Sequence, residues 1–367
     1  MLDGAGWGRV VQHADRLCAH GQIPAISLEV HRGDRRTGVR AFGRLQPDSG
    51  DASREDAIFL VASLTKPIVA MAALLLVERG MLNLNDRVRD LVPEFSGADR
   101  KAITIRHLLT HTSGLPDMLP NNRALREKQS PLSAFVAGTC GVTLYFPAGR
   151  AVQYQSMGFA LLGQIINAVS GMTYGEFLHR EFFEPLGMRD TALGPTAEWW
   201  RAPSRAARLT LNRLPPEQEG QSEWNWNSEY WRGFGAPWGG LLTTVEDLGR
   251  FCRMMLNNGT LEDVRILSPA TVQAASTNQL DCFRDISEAD RRTRPWGFGW
   301  RLNWPAHNAC FSDLLPDDAF GHWGATGTMF WMDRRSRTAA VLLSTQPLDM
   351  GSDRELVRLS NMIVAAL

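Results

Sequence analysis

Ser63 and Lys66 stand three residues apart at the mouth of an unbroken apolar run, Ile68 to Val77. On one turn of helix that spacing puts both on a shared face, so a hydroxyl and an amine can meet as nucleophile and base. Arginine keeps its proton, whereas a lysine desolvated among apolar or cationic groups can be neutral. Moving a lysine from about 10.4 to near 7 costs roughly 4 to 5 kcal/mol, which burial can supply. Lysine is scarce here: among 39 basic residues it occurs only at 66, 101 and 128, and only Lys66 has a serine three positions earlier. Taken alone, the pair also fits a serine helix cap followed by a surface lysine. Two more polar groupings adjoin apolar runs, Tyr154-Gln155-Ser156 and His322-Trp323-Gly324, and the tyrosine is one of only four in the chain.

The elements that must position these residues follow from pattern. Pro67 is tolerable only in a first helical turn, so a core helix begins near Ser63; its ten apolar residues fall short of the roughly 20 of a membrane span. Before it come an amphipathic helix from Trp7 to about Gly21 and a hairpin of Ile26–Val30 with Gly38–Gly43. In the hairpin Ser27, Glu29 and His31 form the alternate, polar face, which predicts a solvated His31. Thr104 opens a helix, and residues 115–131, with three prolines, read as a long loop of the kind that lines sites. Met157 to Val169 is a buried helix stopped by Gly171, preceded directly by Tyr154. Thr173 with Glu176, and Thr243 with Glu246, have the spacing of capping boxes. Six tryptophans lie between Trp199 and Trp238, and Trp224 to Trp238 fit either core packing or the wall of an apolar pocket. Residues 279–295 read as an exposed loop. Two strands, 328–333 and 338–345, and a helix over 353–367 close the chain.

Charge and composition exclude several functions. With 39 basic and 39 acidic residues, nothing steers the chain to nucleic acid or an anionic membrane. Five cysteines (18, 140, 252, 282 and 310) without CxxC spacing argue against a disulfide framework or zinc site. His107 and His111 are four apart, but the glutamate of a zinc-protease helix is missing from the position after His107. No secretory signal is visible, so the expected location is cytoplasmic. There is no P-loop, and no serine lies in Gly-x-Ser-x-Gly.

In order, Ser63-x-x-Lys66, Tyr154-x-Ser156 and His322-x-Gly324 resemble the three motifs of penicillin-recognising serine hydrolases. The surrounding wording is similar to the class C β-lactamase-like group, with its DD-peptidases and family VIII carboxylesterases, from about residue 20 to 346. The resemblance implies an α+β, β-lactamase/transpeptidase-like fold: an antiparallel sheet from both chain ends, flanked by helices, with a mostly helical lobe inserted. The single catalytic domain, 1–367, would comprise a sheet lobe (about 1–85 with 235–367) and a helical lobe (about 86–234). Ser63 would be the acylated nucleophile, with Lys66 and Tyr154 jointly the base. The N–H groups of Ser63 and Ala325 would form an oxyanion hole, each donor typically contributing about 3 kcal/mol. Ser156, His322, Trp323, Gly324 and Trp238 would contact substrate, and no metal or cofactor is called for. Two departures matter: the third place of the tyrosine motif holds Ser156 where the family's β-lactamases have Asn, and His322 stands where they have Lys. A neutral histidine supplies no fixed cation for a β-lactam carboxylate, which favours small esters. A DD-peptidase, D-amino-acid amidase or weak β-lactamase, an acyltransferase, and a non-catalytic binding protein of the same fold are the alternatives.

Overall fold

The structure, a computed structural model, describes residues 3–47, 50–304, 306 and 311–367. Cys310 lies outside these residues, while Cys18, Cys140, Cys252 and Cys282 are free thiols.

The alternating segments at both ends of the chain build one seven-stranded antiparallel sheet. Its strands are β1 (Ala25–Arg32), β2 (Arg35–Arg36), β3 (Arg40–Gly43), β4 (Arg301–Leu302), β5 (Phe320–Gly324), β6 (Thr328–Asp333) and β7 (Thr338–Ser344). The order is β2-β1-β7-β6-β5-β4, with β3 also on β1. The two chain ends thus meet in mid-sheet, Leu28 opposite Leu342. β7 is buried along its whole length, as its apolar centre requires.

Five longer helices matter for the site: α1 (Gly4–Ala19), α2 (Thr65–Glu78), α3 (Met157–Ser170), α4 (Val245–Leu256) and α5 (Ser352–Ala365). On one face of the sheet, Val10, Ala14 and Leu17 of α1 and Leu356, Leu359 and Ile363 of α5 pack on Leu28, Trp331 and Leu342. The opposite face joins the larger core, where Phe330, Val341 and Leu343 meet α4, α2 and the helical segments between them. α2 is buried on every side from Thr65 to Leu76, which its lack of a polar stripe demands. α3 ends at Gly171, whose φ of 71° a side chain would resist. No helix among the described residues is long and apolar enough to cross a membrane.

Four expectations are corrected. His31 is not solvated: Ser27, Glu29 and His31 lie under α4, with His31 2% exposed and Glu29 fully buried. A Cβ at Gly249 of α4 would stand 2.3 Å from His31 Nε2, so this glycine makes room for the polar face. Alternation revealed two faces of β1, but both are covered because α4 crosses the polar one. The cap of α4 is Thr244, whose side chain accepts from the Asp247 N–H, while Thr243 ends a short strand. The 115–131 loop contains a helix, Asn122–Glu127. The 279–295 segment is likewise not wholly irregular: Glu288–Thr293 is helical, and Leu280, Phe283 and Ile286 bury against Val152 and Trp296.

Candidate active site

Ser63 is held by a short strand and a strained turn. Phe59–Leu60 pairs with Leu241–Thr243, and the Val61 N–H bonds to the Leu241 carbonyl at 3.0 Å. Ala62 then takes φ 46°, a left-handed conformation that costs a residue with a Cβ roughly 1 to 2 kcal/mol. Neighbouring bonds hold it there: Thr65 Oγ1 donates to the Ala62 carbonyl at 2.6 Å and accepts from the Leu241 N–H at 3.1 Å. Ser63 follows in a single 3₁₀ turn, Ala62–Leu64, that runs into α2, with Pro67 in the first turn.

The β5–β6 hairpin is stitched to the same turn. Thr326 Oγ1 donates to the Leu60 carbonyl at 2.8 Å and Thr328 Oγ1 to the Val61 carbonyl at 2.9 Å. Gly324 permits this approach, since a Cβ there would lie 2.2 Å from the Val61 carbonyl oxygen. Ala325 is exposed at the hairpin's end, and its N–H makes no hydrogen bond among the described residues. Ser63 itself is half-buried.

Lys66 Nζ donates to Ser63 Oγ at 2.9 Å and to the Trp238 carbonyl at 2.9 Å. The amine is fully buried and 4.7 Å from the centre of the Tyr154 ring. Burial draws its pKa down to about 7, and the Asp117 carboxylate opposes the shift. Burial pushes the Tyr154 phenol well above its usual value, Asp117 adds to the rise, and the nearby Ser63 hydroxyl tempers it. The phenol oxygen is sealed from solvent and makes no aligned hydrogen bond.

His111 clamps Tyr154 from both sides. Its carbonyl accepts the Gln153 N–H at 2.9 Å and its Nδ1 accepts the Gln155 N–H at 3.1 Å. Its ring lies 4.9 Å from that of Tyr154 and 4.2 Å from that of Trp296. His111 adopts φ 60°, another left-handed residue with a side chain, and such strain collects at functional positions. With Nδ1 accepting, the proton sits on Nε2; burial, then Lys66, His322 and Arg301, hold the ring's pKa well below its ordinary value.

His322 is buried, and burial followed by the field of Lys66 brings its pKa to about 3. Its Nδ1 lies 2.7 Å from the Trp323 carbonyl oxygen and 3.0 Å from the Trp323 nitrogen. Trp323 is half-buried, with its ring 6.3 Å from that of Tyr154. Ser156 donates its hydroxyl to Asp117 Oδ1 at 2.6 Å and its N–H to the Asp117 carbonyl at 3.2 Å.

Ser63, Lys66, Tyr154, Ser156, His322, Trp323, Gly324 and Ala325 thus come together from three separated stretches of chain. Trp238 joins through its carbonyl, because its indole is 2% exposed and packs on Phe135 and Phe234. Within the Trp224–Trp238 group, Trp224 and Trp231 are buried and pack on Arg126, which lies 4.9 Å from the Trp224 ring and 4.2 Å from the Trp231 ring, while Trp226, Tyr230 and Phe234 are half-buried. His107 caps its own helix, Nδ1 accepting the Thr104 N–H. No group of three potential metal ligands occurs among the described residues. Sequence reasoning gave Asp117 and Trp296 no role and weighed His111 only as a metal ligand. Asp117 lay in the long loop already suspected of lining a site, whereas nothing local marked His111 as a support for Tyr154.

A Ser–Lys pair opening a buried helix beside an antiparallel sheet made from both chain ends defines the β-lactamase/transpeptidase-like fold class. The chain belongs to the β-lactamase family, whose family model, described as Beta-lactamase, matches residues 10–361. Penicillin-binding protein 4 of Amycolatopsis lactamdurans is 31% identical over 337 residues, 90% of this chain and 81% of that protein. Among solved structures, a penicillin-binding protein homologue from Caulobacter crescentus has a TM-score of 0.80 at 22% identity, covering 100% of this chain and 99% of its own. A family VIII carboxylesterase has a TM-score of 0.76 at 20% identity, covering 98% of both chains. At these identities the structural likenesses bear on fold. The family is one of serine hydrolases acting on small molecules.

Proposed function

We propose that this protein hydrolyses small carboxylic esters through an acyl-enzyme on Ser63. The observation that carries the reading is the buried Lys66 amine, 2.9 Å from Ser63 Oγ and drawn to about 7. Near neutral pH a large share of Lys66 is uncharged and accepts the Ser63 proton as Oγ attacks the ester carbonyl. The carbonyl oxygen becomes an oxyanion facing the N–H groups of Ser63 and Ala325. Collapse breaks the bond to the alcohol, which leaves with a proton from the Lys66–Tyr154 pair. Water then attacks the acyl-enzyme, giving a proton to the same pair; collapse breaks the acyl bond to Ser63 Oγ, which takes that proton back as the acid leaves. Tyr154, its proton retained by burial, acts as the donor of the pair.

The ester preference rests on His322, a buried neutral ring where a fixed cation would serve a β-lactam carboxylate. A second reading, cleavage of peptide-like amides or β-lactams, draws on the 31% identity to a protein named as penicillin-binding. A series of chromogenic esters run beside a chromogenic cephalosporin separates the two. Short esters should exceed the cephalosporin in kcat/KM by about a hundredfold or more, the scale of several lost contacts to an unmatched carboxylate. Faster cephalosporin turnover would overturn the ester reading in favour of the second.

A further inference from the structure

Asp117 stands in the site without a part in the acyl transfer. Its backbone carbonyl and Oδ1 take the N–H and hydroxyl of Ser156, which anchors it at the entry to α3, two residues beyond Tyr154. Asp117 is half-buried; its Oδ2 makes no hydrogen bond or ion pair among the described residues and is not among the sealed polar atoms, and Met118, next in the chain, is 40% exposed. The carboxylate's field reaches both Lys66 and Tyr154.

Three features of this arrangement point the same way. Ser156 has spent its one proton on Asp117 and is itself buried, so the pair's free polar atom is the carboxylate oxygen Oδ2, which can only accept. Asparagine at 156 would have offered a donor, so the departure from the family's pattern changes what can bind. The groups around it add little positive charge: His111 and His322 are held neutral, Tyr154 keeps its proton, and Lys66 is partly discharged. Arg301 is the remaining cation whose field reaches the two histidines, and it lies behind Trp296, its guanidinium 5.6 Å from that ring and bonded to the Thr293 carbonyl. An acceptor-only, negatively charged edge is complementary to an alkylammonium.

We propose that Asp117 Oδ2, held in place by Ser156, forms a subsite for an ammonium group carried by the substrate, making amine-bearing esters the preferred class. This rests on the acyl-enzyme reading and narrows it. An ammonium bound there also acts on the base: it cancels the Asp117 field that holds a proton on Lys66 and adds a second cation nearby. Lys66 is therefore a more fully neutral base in the substrate complex than in the free enzyme.

The test compares nitrophenyl esters of 3-aminopropanoic, butanoic and 3-sulfopropanoic acids, which differ at one end in charge, each normalised to its hydroxide-catalysed rate. Amine on the alcohol side is tested with the 2-aminoethyl and propyl esters of butanoic acid in a pH-stat. The ammonium member of one pair should lead its neutral partner in kcat/KM by about ten- to a hundredfold, the range of a charge-assisted hydrogen bond, and the leading pair locates the ammonium. The lead should shrink at high salt, and the acid limb of kcat should lie below that of kcat/KM for the ammonium ester only. Asp117→Asn should bring the ratio near one, and Asp117→Glu should restore part of it, a difference that loss of folding alone does not produce. Neutral esters turned over with no ammonium lead on either side would overturn the subsite and leave the serine-hydrolase reading standing. No turnover of any ester, and no covalent labelling of Ser63, would instead overturn both.

Discussion

The Ser63 site and the Ser27–Glu29–His31 cluster both bury ionisable side chains against this sheet, and they differ in what surrounds the buried group. Lys66 is wholly buried, yet its amine bonds the half-buried Ser63 hydroxyl, and exposed Ala325 adjoins the same turn. In the cluster, His31 Nε2 lies 3.1 Å from Glu29 Oε2, but both carboxylate oxygens, both ring nitrogens and the Ser27 hydroxyl lack aligned hydrogen bonds. Gly249 of α4 closes over them. Lys66 can act as a reagent because its partner is a hydroxyl at an open face, whereas the cluster's link outward is an ion pair, Glu29 Oε1 3.9 Å from the exposed Arg36. Enclosed beneath α4, the same kind of burial is a packing problem that a glycine relieves.

This contrast predicts that changes at the first place cost activity and changes at the second cost stability. The largest effect belongs to Lys66. Lys66→Arg keeps a charge but cannot accept the serine proton, so it should lose about as much kcat as Lys66→Ala, up to about 10⁴-fold. An arginine variant retaining most of its kcat would reduce Lys66 to an electrostatic support. Tyr154→Phe should follow, at about 10²-fold or more in kcat with little change in KM. If His111 acts through Tyr154, His111→Leu should cost much less in the Tyr154→Phe background than in wild type, a coupling read from a double-mutant cycle. Equal losses in both backgrounds would make His111 a general packing residue.

Lys66 also sharpens the comparison from the side of stability. Its folded pKa of about 7 lies below the ordinary 10.5, so the unfolded chain binds the proton more tightly. The resulting penalty is fully present below about pH 7 and disappears as pH rises past about 10.5. Lys66→Met, though inactive, should therefore be more stable than wild type near pH 7, by about 3 kcal/mol once the lost bond to the Trp238 carbonyl is deducted. The advantage of Lys66→Met in denaturant midpoint should shrink as pH rises above 7 and reverse near pH 10.5, where only the Trp238 bond separates the two. The smallest effect is expected at Gly249: Gly249→Ala drives a methyl onto His31 and should lower stability by about 1 to 3 kcal/mol. Ester kcat/KM should stay within about twofold, as befits a site remote from the reacting atoms. A large activity loss in folded Gly249→Ala would mean the two regions are coupled.

Much of this could be read from residue spacing because it depends on local geometry. A serine and a lysine three apart, a proline confined to a first turn, and an apolar strand centre each imply their surroundings within a few residues. Asp117 and Trp296 reach the site only because the chain folds back, and no local period marks a residue brought in from a loop. His31 shows the complementary limit: alternation separates two faces without saying what crosses each. Trp238 shows a third, since side-chain type gives no warning that a backbone carbonyl will be the contacting atom.

The central claim is that Ser63 is activated by Lys66 as a neutral base. It is tested most directly by the pH dependence of covalent labelling with a fluorophosphonate, with the modified peptide located by mass spectrometry. Labelling should fall on Ser63, its rate rising about tenfold per pH unit at low pH and levelling off near pH 7, where Lys66 has lost its proton. A label on another residue, or a Ser63 rate that is flat across this range and unchanged in Lys66→Ala, would contradict it.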